Sequence, residues 1–100
     1  MISMKTAHNA VKSEKLIKVL LKYDEPKKTI HSITISGDFF LYPEDALERL
    51  ESSLVGVRLE RSIINKQIQD ILHGAEAFGF TAESMTEAIL GCLNKKIDRI

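Results

Sequence analysis

Between residues 16 and 36 apolar and polar positions alternate with period two, and further along the chain they recur with the period of a helix. Ile17, Val19, Leu21 and Tyr23 line one face of a strand running from Leu16 to Tyr23, opposite Leu16, Lys18, Leu20 and Lys22. Asp24-Glu25-Pro26-Lys27-Lys28 has turn chemistry, because proline presets φ and cannot continue a central strand. Ile30 to Ser36 is rich in β-branched residues and predicts a second strand, with Ile33 and Ile35 on one face. The short turn predicts an antiparallel hairpin, which is unstable alone in water and needs cover.

The helical segments supply that cover. Pro43 suits a first helical position, with Glu44 and Asp45 on the positive end of the dipole. Leu47, Leu50 and Leu54 form the apolar stripe of this helix, and Gly56 is its natural stop. A second helix is predicted from about 60 to 77, with Ile64, Ile68, Ile71, Leu72 and Ala75 on one face and Gly79 ending it. Thr81 can cap a third helix, whose core face is Met85, Ala88, Ile89, Cys92, Leu93 and Ile97. Lys95, Lys96 and Arg99 would sit in its last turns, where cations suit the dipole. Residues 1–14 show no sustained period and are expected to form a flexible N-terminal arm. The predicted fold is α+β: an antiparallel β-hairpin packed against three α-helices, one domain over residues 15–100.

Composition agrees with one core. The chain has 100 residues, 44% of them apolar, and at this size about 60–65% of the unfolded surface can be buried. A single Cys excludes a disulfide framework or a Cys-rich zinc module. No apolar run approaches the roughly 18–20 residues that span a bilayer, and no signal peptide opens the chain, so the expected location is cytoplasmic, without membrane contact. The formal net charge is zero, but it is unevenly spread. Residues 1–37 carry net +4, all of the positive charge from Lys, whereas residues 38–57 carry net −4.

The search for catalytic chemistry mostly fails. Cys92 lies on an inward stripe, where Cys behaves as a small hydrophobe. His8, His31 and His73 fall in three elements, and no pair has the i, i+4 spacing of a helical metal site. Glu44, Glu48 and Glu51 share a helical face opposite Leu47, Leu50 and Leu54, as a solvated face does. No Walker loop or Gly-rich dinucleotide fingerprint exists. No catalytic set, metal or cofactor is expected for the chain alone.

One connection does not look like scaffold. Ser36-Gly37-Asp38-Phe39-Phe40-Leu41-Tyr42-Pro43-Glu44 holds three of the six aromatic residues within four positions. Two readings stand side by side. In one, Phe39 and Phe40 plug the gap between sheet and helices, Gly37 permits the turn and Asp38 bonds nearby backbone N–H groups. In the other, part of the turn docks on another protein, since exposed aromatics are common interface anchors. Lys12, Lys15, Lys18 and Lys22 allow two readings as well: protection of an edge strand, or contact with a phosphate or partner. Nucleic-acid binding is disfavoured by neutrality, scarce Arg and the lack of an aromatic-studded basic strand.

Lys15-Leu16-Ile17-Lys18-Val19, the block Ile33 to Glu44, and Leu50-Glu51 with Leu54-Val55-Gly56 resemble the accessory (C-terminal) domain of lipoate–protein ligases, in the version found as a separate small subunit in some archaea. The resemblance covers about residues 12–57. It implies a non-catalytic accessory subunit, paired as a heterodimer with a catalytic subunit that uses ATP, Mg2+ and lipoate to form lipoyl-adenylate. That complex would modify apo-lipoyl domains of 2-oxoacid dehydrogenases and the glycine cleavage H protein. Gly37, Asp38, Phe39, Phe40 and Tyr42 would then face the partner, with Lys15 and Lys18 as candidate contacts to adenylate or partner. Ser13-Glu14 stand where family members often carry Gly, a departure that argues against close backbone approach to a nucleotide phosphate there. A stand-alone interaction or regulatory module of the same fold is the alternative.

Overall fold

The computed structural model describes residues 3–12 and 14–94. Three antiparallel strands, β1 (Met4–Lys12), β2 (Leu16–Asp24) and β3 (Thr29–Gly37), form a sheet in that order. A second, two-stranded sheet pairs β4 (Phe40–Tyr42) with β5 (Glu76–Phe78). The helices are α1 (Ala46–Leu54), α2 (Arg61–Leu72) and α3 (Ala82–Gly91), followed by a 3₁₀ turn over Cys92–Asn94. The class is α+β with three helices, as expected, and the hairpin is enlarged by a strand.

That strand replaces the expected arm. Its inward positions, Lys5, Ala7, Asn9 and Val11, pair with Tyr23, Leu21, Val19 and Ile17. They are too polar to show an apolar alternation. A buried hydrogen bond does the anchoring that apolar bulk usually does: Asn9 Nδ2 donates to the Ala88 carbonyl at 3.0 Å. That carbonyl is available because α3 tightens at its end and the Cys92 N–H turns to the Ile89 and Leu90 carbonyls.

The inward face of the sheet carries the core. Ile17, Val19 and Leu21 of β2, with Ile33 and Ile35 of β3, meet Leu50, Leu54, Ile64, Ile68, Met85 and Ile89 from the helices. Each such aliphatic side chain contributes about 1.5–3 kcal/mol by leaving water. α1 lies against β3, α3 against β1 and β2, and α2 bridges the other two helices. Thr81 caps α3 with a reciprocal capping box to Ser84. Arg61 pairs with Glu87 across α2 and α3, and that hydrogen bond and charge raise the guanidinium pKa further.

Several boundaries differ from the sequence reading. α1 begins at Ala46, because β4 runs through Tyr42 and Pro43 then closes a turn, its carbonyl accepting from the Ala46 N–H at 2.9 Å. α2 ends at Leu72 rather than 77, since the backbone of residues 76–78 is drawn into the ladder with β4. Glu51 does not lie on a purely solvated face: its carboxylate accepts the Ile35 N–H of β3 at 2.7 Å. Together with the Ile30 N–H donating to the Val57 carbonyl, this closes the outer edge of β3. Lys95, Lys96, Ile97 and Arg99 lie outside the described residues.

Candidate functional site

At the end of β3 the chain must leave the sheet against the backbone of β2. Gly37 does so at φ +150°, and a Cβ there would lie 2.0 Å from the Leu16 carbonyl oxygen. No other residue fits. The Asp38 N–H then donates to that same oxygen at 3.0 Å, which fixes the direction in which the aromatic run departs.

From this point the side chains alternate. Phe39 turns inward and meets the buried Phe80 edge-on, with ring centroids 4.9 Å apart and planes at 69°. Phe40 turns outward and is 72% exposed. Leu41 turns back to pack on the core, and Tyr42 faces out at 62% exposure. The plugging reading therefore holds for Phe39, while Phe40 is left exposed. The Asp38 side chain is exposed and accepts no hydrogen bond among the described residues, so its expected role in ordering the turn is not realised.

The second strand of this small sheet adds a ring that the sequence reading missed. Phe40 stands opposite Phe78, Leu41 opposite Ala77, and Tyr42 opposite Glu76. Opposed residues share a face, so Phe40, Tyr42 and Phe78 form one outward aromatic surface, with Phe78 58% exposed. Phe78 lies just past the helix expected from about 60 to 77, with no strand predicted there; His73-Gly74 is the stop signal that ends that helix earlier. Gly79 follows at φ +95°, where a Cβ would lie 2.6 Å from Lys15 Cγ and 3.3 Å from Phe39 Cβ. The aliphatic stem of Lys15 thus lies over Gly79, next to the aromatic sheet.

Lys18 is placed elsewhere. It stands on the outward face of β2, between Ala10 of β1 and Ser36 of β3. Because β2 is the central strand, Lys18 and Lys22 guard no edge, and edge protection does not account for them. No group of three or more His, Cys, Asp or Glu among the described residues could hold a metal ion. Cys92 is buried. No helix among the described residues is long and apolar enough to cross a membrane.

Phe40, Tyr42 and Phe78 thus form an exposed three-ring surface, with Gly37 and Gly79 at positive φ on either side of it in the chain. Comparison with known proteins places the chain in a family. Residues 6–89 match the family described as the bacterial lipoate protein ligase C-terminus. The chain belongs to this family. The match begins inside β1 and runs into α3, so it takes in most of the strand that stands where an arm is expected from the sequence. The lipoate-protein ligase A subunit 2 of Thermoplasma acidophilum is 40% identical over 75 residues, covering 74% of this chain and 76% of that protein. A chain from a structural analysis of an archaeal lipoylation system, a bipartite lipoate protein ligase and its E2 lipoyl domain from the same organism, superposes with a TM-score of 0.71 at 37% identity. It covers 89% of this chain and 97% of that one. The structural likeness extends the family resemblance beyond the aromatic block to the whole α+β domain.

Proposed function

We propose that this chain is the non-catalytic accessory subunit of a two-component lipoate–protein ligase. It seats on a catalytic subunit through the aromatic face of β4 and β5 and supports ATP-dependent activation of lipoate to lipoyl-adenylate. The observation that carries this reading is the outward surface of Phe40, Tyr42 and Phe78, in a domain of the ligase family. Soluble domains rarely leave three aromatic rings together in water without a use for them. The likeness to the second subunit of a bipartite ligase supports a separate catalytic partner.

The residues here do not fit a site for the nucleotide or its metal. The described residues gather no metal-ligand set, and Lys15 is a cation beside the aromatic face. ATP, Mg2+ and lipoate are therefore assigned to the catalytic subunit, with Lys15 reaching across the interface as a point charge toward the partner or its bound adenylate. The lipoyl group would pass to apo-lipoyl domains of 2-oxoacid dehydrogenases and the glycine cleavage H protein, in the cytoplasm.

The test is lipoate-dependent ATP–pyrophosphate exchange by the catalytic subunit from the same genome, assayed with and without this chain. Exchange that depends on the chain is expected. Exchange at the same rate without it contradicts the proposal.

A further inference from the structure

The outward face of the three-stranded sheet is a second surface, chemically unlike the aromatic one. Among the described residues, helices cover the inward face only. Outside, Lys12, Lys18 and Lys22 stand at positions set by the ladder, since Lys12 pairs with Leu16 and the other two lie on β2. Lys18 and Lys22 are about 13 Å apart along the strand. None of the three has a carboxylate partner among the described residues, whereas Arg49, Arg58 and Arg61 are all paired. From Leu16 to Lys22 no acidic residue stands on this face of β2. Leu20, half exposed, lies between the lysines, in a shallow depression with His8, Thr34 and Ser36.

Lys18 and Lys22 do not protect an edge, because β2 is central, whereas Lys12 stands at the end of the edge strand β1. They are not offset locally either, and uncompensated charges on one face raise the potential over it. An exposed Leu20 with Lys18 and Lys22 on either side along the strand and polar neighbours across it suits a protein–protein contact. It suits a nucleic acid less well: the outward positions of the sheet hold no Arg for bidentate phosphate contact and no Phe, Tyr or Trp for base stacking. The face also ends beside the docking surface, since Lys12 closes β1 where the chain turns through Lys15 to Gly79. A partner seated on it would be held next to whatever covers Phe40 and Phe78.

We infer that this face binds the acyl-accepting carrier domain, through clustered carboxylates on that domain's surface, and holds it beside the catalytic subunit. The inference rests on the proposed function for the identity of the carrier, and on the unpaired lysines for the site.

The test uses the two-subunit complex with Lys12→Glu/Lys22→Glu in this chain and the apo-lipoyl domain from the same genome as acceptor. Lipoate-dependent ATP–pyrophosphate exchange, which needs no acceptor, is expected to stay at the wild-type rate. The KM for the apo-lipoyl domain in lipoyl transfer is expected to rise ~10-fold, and the rise to shrink as salt screens the face. Lys12→Gln/Lys22→Gln, which removes charge without reversing it, should lie between. A KM unchanged in both variants while exchange still depends on this chain overturns the carrier site and leaves the proposed function standing. Exchange independent of this chain overturns the proposed function. Single-stranded RNA that binds wild type more tightly than the carrier does, and is lost in the variants, assigns the face to nucleic acid and overturns the inference.

Discussion

Phe39 and Phe40 are neighbours in sequence and opposites in environment. Phe39 packs on Phe80 at the rim of the core, while Phe40 stands in solvent beside Tyr42 and across from Phe78. Substituting each by alanine should therefore separate folding from binding. Phe39→Ala should lower the unfolding free energy by about 2–3 kcal/mol, a little under the range for fully buried Phe. Phe40→Ala should stay within about 0.5 kcal/mol of wild type yet weaken association with the catalytic subunit by about 2 kcal/mol. Urea denaturation and titration calorimetry read the two quantities. Equal loss of stability in both variants would mean that both rings are plugs. At this scale the sequence was legible where the residues broke a local rule: Phe-Phe-Leu-Tyr in a connection is conspicuous. Phe78 was not, because Ala75-Glu76-Ala77 continues a helical pattern and only the β4 ladder makes it a strand.

Elements with a strong apolar face were readable, and those held by hydrogen bonds were not. β2, β3 and α3 follow directly from Ile17-Val19-Leu21, Ile33-Ile35 and Met85-Ala88-Ile89, which are buried as their periods require. β1 has Ala7 and Val11 as its only apolar inward residues, and is secured by its backbone ladder and by Asn9 on the Ala88 carbonyl. Asn9→Ala should cost about 1–3 kcal/mol, because it leaves a buried carbonyl with only the weak Cys92 Sγ donor at 3.8 Å, and thermal or urea unfolding would show it. A chain beginning at residue 14 gives the larger contrast. If residues 3–12 were a flexible arm, its removal would leave the unfolding midpoint unchanged. As a nine-residue strand contacting β2 and α3, its loss should abolish the cooperative transition seen by circular dichroism. Glu51 illustrates the same limit: its spacing put it with the solvated acids, and only the approach of α1 to β3 gives it a backbone N–H to hold.

The whole molecule presents two faces that a neutral total conceals. The sheet turns unpaired lysines to one side, and the aromatic β4–β5 face meets that surface at Lys12 and Lys15. Of the acidic residues of α1, Glu48 is exposed and Glu51 reaches the outer edge of β3. Such a division suits a subunit that seats on one partner and steers another toward it. The aromatic face carries the central claim, because the proposed docking on a catalytic subunit runs through it. Exchange activity titrated with this chain tests that claim most directly, comparing wild type with Phe40→Ser/Phe78→Ser. Both substituted residues are exposed, so the variant should fold as wild type does. The account predicts that the concentration giving half-maximal lipoate-dependent ATP–pyrophosphate exchange rises at least ~10-fold in the variant, as the loss of two interface anchors requires. A folded variant that activates at the wild-type concentration would contradict it.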